Sequence, residues 1–171
     1  MAGITSAVVA AAVALIGIYF TQFLAERYRR HHDGSALAAG LAGELASHAG
    51  AAPHIRVSLE LAQDKIKAGK RDELTFRALD KPQDRYFEKV VEKVGLLGPE
   101  LAQGVIYVYS NLDAFRTALV LIHSNHADMK DAELLGRIAL CSEAMERALE
   151  IGPELIEKLR ARSAQRFNSI R

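Results

Sequence analysis

The pattern of apolar and polar residues divides the chain into one continuous apolar run followed by several amphipathic segments. The run is uncharged from Ile4 to Leu24. As an α-helix rising about 1.5 Å per residue, it matches the roughly 30 Å hydrocarbon core of a bilayer. Its aliphatic and aromatic side chains favour insertion. The run therefore predicts a transmembrane anchor over residues 1–25, with the span positions Ile4, Val8, Val13, Ile16, Phe20 and Leu24.

Two other interpretations of this run are less favourable. A cleaved signal peptide normally has positive charge before its apolar stretch and a small-residue cleavage site after it. Here no Lys or Arg precedes the run, and the residues 26–30 that follow read Glu-Arg-Tyr-Arg-Arg. A core helix of a soluble protein rarely stays apolar on every face over such a length. An uncleaved span is the better prediction.

The charges after the run predict the orientation of the span. Residues 26–34 form a basic juxtamembrane segment that contains Arg27, Arg29 and Arg30. Because positive residues beside a span stay on the cytoplasmic side, these arginines place the amino end outside and the remainder in the cytoplasm. The single cysteine, Cys141, fits a reducing compartment.

Small residues recur at intervals of four within the span, as in Gly3, Ala7 and Ala11. Such a face allows two helices to approach closely in lipid, so it could pair two copies of the chain. Alanine is also simply common in this segment, and both interpretations stay open.

Beyond the juxtamembrane segment, apolar residues recur at alternating steps of four and three, which is the spacing of one helix face. Asp33-Gly34-Ser35 could end one helix and cap the next, or a helix could run straight through. Pro53 predicts a kink or short break near Ala51. The first stripe consists of Leu41, Leu45, His48, Ala52, Ile55, Leu59, Ala62 and Ile66.

The same spacing continues to the carboxyl end. Residues 70–81 are irregular and predict a loop or a short helical turn, and Pro82 and Pro99 then stand at favoured first positions of helices. Gly152-Pro153 is expected to bend or divide the last helix. No convincing alternating strand pattern is present.

Amphipathic helices bury their apolar stripes against one another. The fold class predicted is therefore all-α, with one N-terminal transmembrane helix followed by an antiparallel bundle of about four helices over residues 35–171. These apolar stripes are also compatible with a coiled-coil oligomer. The predicted core positions are Leu41, Leu45, Ile55, Leu59, Leu101, Val105, Val108, Leu112, Phe115, Leu119, Ile122, Leu134, Ile138, Met145 and Leu155.

Composition and motifs argue against several function classes. A formal net charge of +1 gives no reason to expect a nucleic-acid partner. There is no Cys-x-x-Cys, no Gly-x-Ser-x-Gly and no Walker-type phosphate loop. We therefore predict no catalytic residues, no cofactor and no small-molecule substrate.

A metal enzyme is the weakest alternative. Glu44 and His48 share a helix face, and His123 and His126 are three residues apart, so they could in principle meet inside a bundle. Di-metal carboxylate bundles use Glu-x-x-His on two helices, and this chain has no such motif. We predict no metal ligands.

The carboxyl end is basic. Lys158, Arg160, Arg162, Arg166 and Arg171 outnumber the single acid Glu157 from residue 157 onward. This segment could contact an anionic leaflet, or it could be a solvated final helix whose cations suit its C-terminal dipole end. The short amphipathic pattern favours the second interpretation.

The block from Val94 to Leu112, with Leu96, Leu97, Pro99, Glu100, Leu101 and Tyr109, resembles a loose group of uncharacterised small bacterial membrane proteins. The resemblance implies a helical fold and attachment to the bacterial inner membrane, and it transfers no site.

The function expected from these features is a membrane-anchored, non-enzymatic scaffold or accessory subunit. Its partners would be the lipid bilayer and either another protein or a second copy, through the bundle or the Ala-rich face of the span. An alternative is a membrane-tethered sensor whose helices repack, for which Pro53 and Gly152-Pro153 are the only indications.

Overall fold

The computed structural model describes residues 2–76 and 84–168, with side chains from Ala11 onward. The protein is all-helical in this part, as predicted, and no strand occurs among the described residues. Short 3₁₀ segments cover Arg71–Glu73 and Val91–Leu97. The α-helices are α1 (Ala2–Lys67), α2 (Phe87–Val90), α3 (Pro99–Asn125) and α4 (Asp131–Ala164).

Helix α1 is one continuous element of 66 residues. At about 1.5 Å per residue it is roughly 100 Å long. It runs straight through Asp33-Gly34-Ser35, so the alternative of an unbroken helix is the one observed. At Gly34 an added Cβ would lie 2.9 Å from the carbonyl oxygen of Leu96. Glycine is needed there because another segment approaches closely, and it does not end a helix.

Neither internal proline interrupts its helix, so the break that was one alternative at Pro53 and the division that was one alternative at Gly152-Pro153 are absent. Pro53 lies inside α1 and Pro153 lies inside α4. A proline inside a helix removes one hydrogen bond and costs about 3 kcal/mol. The buried residues on both sides of Pro53, Ala52 and Leu59, hold the flanking turns against the other helices and offset that cost.

The surroundings of α1 change along its length. Every residue from Ala11 to Glu26 is exposed, including Val13, Ile16, Phe20 and Leu24. The span positions Ile4 and Val8 belong to the helix, but their side chains lie outside the described part. Continuous packing against other elements begins only near Leu37. The apolar run and the packed half are therefore parts of one helix with different environments.

Helix α4 runs antiparallel to both of the other long helices. Lys158 pairs with Glu100 at 2.8 Å at one end of α3, and the Cys141 thiol lies 3.6 Å from the Phe115 carbonyl further along. Against α1, Arg162 lies near Ser35, whereas Glu146, earlier in α4, pairs with Arg56, further along α1, at 2.7 Å.

Helices α1 and α3 run parallel, which differs from a fully antiparallel order. Glu44 contacts Tyr109 at 2.8 Å, and His48, further along α1, lies 3.3 Å from Arg116, further along α3. The reason is the segment between them, which returns along α1 so that Leu96 reaches Gly34. We call residues 84–98 the return segment. Instead of the long helix predicted from Pro82, it contains α2 and a 3₁₀ turn. Pro82 itself lies outside the described residues.

Two apolar clusters form the core of the packed half. The first joins the middle of α1 to the return segment and the start of α3, and the second joins the end of α1 to the end of α3 and the start of α4. Four of the predicted core positions, Ile55, Leu101, Leu112 and Leu119, are only partly buried. The buried ones are Leu41, Leu45, Leu59, Val105, Val108, Phe115, Ile122, Leu134, Ile138, Met145 and Leu155.

The described residues include one helix that is long and apolar enough to cross a membrane by length and composition alone. It is α3, Pro99–Asn125. One face of α3 is buried against the other helices, and that face includes the charged Arg116. The composition of α3 is therefore also that of a core helix.

The contact between Tyr86 and α1 gives a direct steric prediction. A Cβ added at Gly40 would lie 2.1 Å from the Tyr86 ring, whereas a Cβ at Gly43 would meet nothing within 4 Å. We expect Gly40→Ala to displace Tyr86 and to lower the free energy of unfolding by about 1–3 kcal/mol. Gly43→Ala, on the same helix, should raise it by about 0.5–1 kcal/mol. Chemical denaturation of the two variants measures both; equal effects would contradict the observed position of the ring.

Candidate functional site

A group of polar side chains is enclosed where the return segment meets α1 and α3. Glu44 and His48 lie one turn apart on α1, and Tyr109 and Arg116 lie two turns apart on α3, so each pair shares a helix face. Asp84 enters from the return segment. We call these five residues the polar network.

Asp84 and Arg116 form the centre of the polar network. The guanidinium donates from Nη1 to Asp84 Oδ2 at 2.6 Å, and the two side chains are only 10% and 7% exposed. His48 Nε2 lies 2.9 Å from Asp84 Oδ1. Oδ1 nevertheless has no well-aligned hydrogen bond from the described residues. The His48 ring therefore lies close to Asp84 Oδ1 without a well-aligned hydrogen bond to it.

Glu44 connects the return segment to α1. Its carboxylate accepts the backbone N–H groups of Tyr86 at 2.9 Å and Phe87 at 3.0 Å, and the hydroxyl of Tyr109 at 2.8 Å. The Phe87 and Tyr109 rings stack with centroids 3.8 Å apart. One carboxylate thus satisfies three donors and fixes the position of α2.

The polar network changes two ionisation equilibria. Burial by itself raises the pKa of Asp84, but the contacts with His48 and Arg116 outweigh it and hold the pKa below its ordinary value of 3.8. Burial raises the pKa of Tyr109 well above its ordinary value, and the hydrogen bond to Glu44 raises it further. At neutral pH Asp84 is therefore ionised and Tyr109 is neutral.

Three side chains of the polar network have metal-ligand chemistry. One ligand atom from each of Glu44, His48 and Asp84 lies within 4.8 Å of the others. The oxygen atoms that would bind a metal are already engaged, because Glu44 accepts three hydrogen bonds and Asp84 is paired with Arg116. A guanidinium occupies the position that a cation would need. The residues fit an internal ion pair better than a metal centre.

The metal alternative has a simple test. We expect Zn²⁺ or Mn²⁺, added in tenfold excess, to leave the melting temperature of the wild-type protein unchanged, because binding would have to displace Arg116 from Asp84. Differential scanning fluorimetry measures this, since a ligand at about 100 times its Kd stabilises by about 2.7 kcal/mol. A rise in the wild type that His48→Ala abolishes would contradict this interpretation.

An apolar cavity of about 230 Å³ adjoins the polar network between α1, α3 and α4. His48 and Arg116 are the charged or titratable side chains in its lining. Ala52, Gly152 and Pro153 also line it, so the two proline-containing regions of α1 and α4 meet at this cavity. Its apolar wall includes Leu45, Ile55, Leu112, Phe115, Met145 and Ile156.

Other residues that the sequence singled out lie elsewhere. The His123 and His126 rings contact Phe76 at 4.8 and 4.9 Å, and they do not join Glu44 and His48 in a group of metal-type ligands among the described residues. Burial raises the pKa of the Cys141 thiol to about 11, which keeps it in the unreactive thiol form.

The topology-determining arginines have different surroundings. Arg27 lies over the Phe23 ring with 5.7 Å to its centroid, and Arg29 pairs with Glu26 at 2.8 Å. Arg30 is exposed.

Sequence reasoning missed Asp84 and Arg116 as site residues. One signal was present for Arg116, because a single arginine within the apolar stretch of α3 must find a counter-charge if that face is buried. No local signal marked Asp84, since its role depends on the path of the return segment.

Comparison with protein-family models, with curated proteins and with solved structures gives no match for this chain. The function proposed below is therefore supported by the geometry of this chain alone.

Proposed function

We propose that the chain is a single-span membrane protein whose packed helices form a non-enzymatic interaction domain, acting as a scaffold or accessory subunit. The observation that carries this proposal is the exposure of the apolar run. From Ala11 to Glu26 every residue of α1 is exposed, and the large apolar side chains Val13, Ile16 and Phe20 are 57–64% exposed. An apolar surface of this length is unfavourable in water and favourable in lipid.

Helix α3 is the rival for the span. It carries Asp113 and the buried ion pair of Arg116, and it packs along α4, which is rich in charged residues. Placing α3 in lipid would bring those charges into the membrane at a cost of about 2.5–3.5 kcal/mol each. The amino-terminal part of α1 fits the span better.

The orientation proposed is an outer amino end and an inner packed domain, in the inner membrane of a bacterium. Arg27, Arg29 and Arg30 follow the run directly, and positive residues favour the cytoplasmic side. Because α1 is unbroken, the packed half would be held to the membrane by a continuous helix.

A scaffold role is supported by the state of the polar network. Its donors and acceptors mostly satisfy one another, which is typical of groups that fix a structure.

A second candidate is a membrane-tethered sensor, and the cavity favours it. Pro153 lies in the cavity wall, and so does Ala52, the neighbour of Pro53. A helix bends most readily at proline. A molecule in this cavity would therefore change the spacing of α1 and α4 where the two helices bend most easily. A ligand-dependent change in the distance between spin labels at Val57 and Leu140 would favour the sensor over the scaffold.

The membrane span is tested by charge insertion. We expect the wild-type protein to stay in the membrane pellet after alkaline carbonate washing. Val13→Arg combined with Ile16→Arg should release it, because each arginine costs about 2.5–3.5 kcal/mol at the membrane centre. The matched control is Val57→Arg with Leu61→Arg, exposed on the packed half of the same helix. Release of the wild type without detergent would refute the span.

The interaction role is tested by crosslinking in native membranes followed by mass spectrometry. A scaffold predicts one reproducible partner, or a second copy, crosslinked to the packed half. Recovery of the monomer alone from intact membranes would refute this role, but it would not contradict the membrane span.

A further inference from the structure

The carboxyl end of α4 returns to the juxtamembrane part of α1. Arg162 Nη1 lies 3.4 Å from the Ser35 hydroxyl, and beyond the helix the Phe167 ring lies 5.3 Å from the Tyr28 ring. Phe167 also contacts His31, with ring centroids 5.5 Å apart. Two basic stretches that are more than a hundred residues apart in sequence therefore lie side by side.

The combined surface has an excess of cations. Residues 26–35 and 157–168 contain seven Lys or Arg against three Asp or Glu. The pairs Arg29–Glu26 and Arg160–Glu157, together with the contacts of Lys158 with Glu100 and Glu154, engage three of the positive charges. Arg30, Arg162 and Arg166 form no ion pair with another described residue.

A hollow lies between these two segments. It has a volume of about 480 Å³ and combines aromatic, imidazole and hydroxyl groups. Hydroxyl and imidazole groups are donors that suit a phosphate oxygen, and Arg162, which lies beside the Ser35 hydroxyl of the lining, supplies the opposite charge. The hollow is lined chiefly by Tyr28, His31, His32, Ser35, Ser163 and Phe167.

The near end of the hollow, at Tyr28, lies at the height of the lipid headgroups if the apolar run of α1 spans the membrane, and its far end lies just beyond them. Tyr28 is about 6 Å beyond Leu24 along the helix axis, and His32 is about 12 Å beyond it. The headgroup layer occupies about 5–8 Å on each side of the hydrocarbon core. Tyr28 and Phe167 would then lie where aromatic side chains concentrate at membrane interfaces.

The geometry points to a binding site for the headgroup phosphate of an anionic phospholipid, formed jointly by the juxtamembrane turns of α1 and the carboxyl end of α4. This inference rests on the proposed membrane span. The lipid would fix the carboxyl end of the packed domain to the membrane surface. Of the two interpretations that the sequence allowed for the basic end, this position favours contact with the leaflet.

Because the chain contains no tryptophan, Phe167→Trp places a single fluorophore in the hollow. The full-length variant is reconstituted in nanodiscs of phosphatidylcholine with a minority of phosphatidylglycerol, and either lipid is brominated in its acyl chains. We expect brominated phosphatidylglycerol to quench the fluorophore about fivefold more, per mole, than brominated phosphatidylcholine. A fivefold preference corresponds to the gain of one cation, here Arg162, close to an anionic surface.

Two arginine pairs provide the comparison. Arg162→Gln with Arg166→Gln, at and just beyond the end of α4, should abolish the preference for phosphatidylglycerol, and Arg137→Gln with Arg147→Gln, in the first half of α4, should leave it unchanged. Quenching that follows the bulk lipid ratio in an inserted protein would overturn the site. Loss of the preference on adding millimolar inorganic phosphate would also overturn it, by showing a site for free phosphate. A protein that fails to insert at all would instead refute the span.

Discussion

Asp84→Asn should lower the free energy of unfolding by about 3–5 kcal/mol, because it leaves Arg116 buried without its counter-charge. Arg116 is 7% exposed in its side chain and lies 2.6 Å from Asp84 Oδ2. No other acidic side chain forms an ion pair with it among the described residues. Urea denaturation of the wild type and the variant, in the same detergent or nanodisc, measures the difference.

The exposed pair of Arg56 and Glu146 is the matched control. It is bidentate, with contacts of 2.8 and 2.7 Å, and both side chains are about half exposed. Glu146→Gln should cost at most about 1 kcal/mol, since surface ion pairs contribute little. Similar losses for Asp84→Asn and Glu146→Gln would contradict the burial of the Asp84–Arg116 pair.

Asp84→Asn should also change how the free energy of unfolding depends on pH in acid. The folded-state pKa of Asp84 lies below its ordinary value of 3.8, so the ionised form is stabilised by folding. Its contribution is complete above about pH 4 and is lost as the pH falls through the folded-state pKa. In Asp84→Asn this part of the pH dependence should be missing. If the free energy of unfolding fell in acid as much in Asp84→Asn as in the wild type, the ionised form of Asp84 would not be stabilised by its partners.

Glu44→Ala should destabilise the packed half by about 3 kcal/mol. The change leaves two backbone N–H groups, of Tyr86 and Phe87, and the Tyr109 hydroxyl without their acceptor. A hydrogen bond contributes about 1 kcal/mol net, so the three together contribute about 3 kcal/mol. Because alanine favours the helix itself, the loss is that of the tertiary contacts. Hydrogen exchange should show reduced protection of the return segment in particular.

Glu60→Ala is the control for this change, because Glu60 is an exposed residue on the same helix. It should alter stability by about 0.5 kcal/mol or less. Tyr109→Phe should show an intermediate loss of about 1 kcal/mol, because it removes only one of the three hydrogen bonds. If Glu44→Ala behaved like Glu60→Ala, the link between α1 and the return segment would be wrong.

The sequence allowed the helices to be predicted well because the signal for a helix is local. The spacing of Leu41, Leu45 and Leu59, and of Val105, Val108 and Ile122, identifies the face that the structure buries. The continuity of α1 could not be predicted, because a break and an unbroken helix were both possible at Gly34, and a kink or a break was expected at Pro53. Gly34 and Pro53 are local signals for ending a helix, but the packing of Leu37, Ala52 and Leu59 on either side outweighs them.

The candidate site could be predicted only in part, for the same reason. Glu44 and His48 are one turn apart, so their common face follows from helix geometry. Their meeting with Asp84 and Arg116 depends on the return segment running back along α1, which makes α1 and α3 parallel. No periodicity within a helix encodes that path.

The position of the apolar run in lipid is tested most directly with two valines of the same helix, Val13 and Val57, which are 64% and 53% exposed. Full-length Val13→Cys and Val57→Cys are reconstituted in lipid vesicles and treated with a membrane-impermeant maleimide. The native Cys141 is buried, and its pKa is raised to about 11, so the wild type should stay unlabelled. We predict rapid labelling of Val57→Cys and none of Val13→Cys until the lipid is dissolved. Equal labelling of both in intact vesicles would contradict the span.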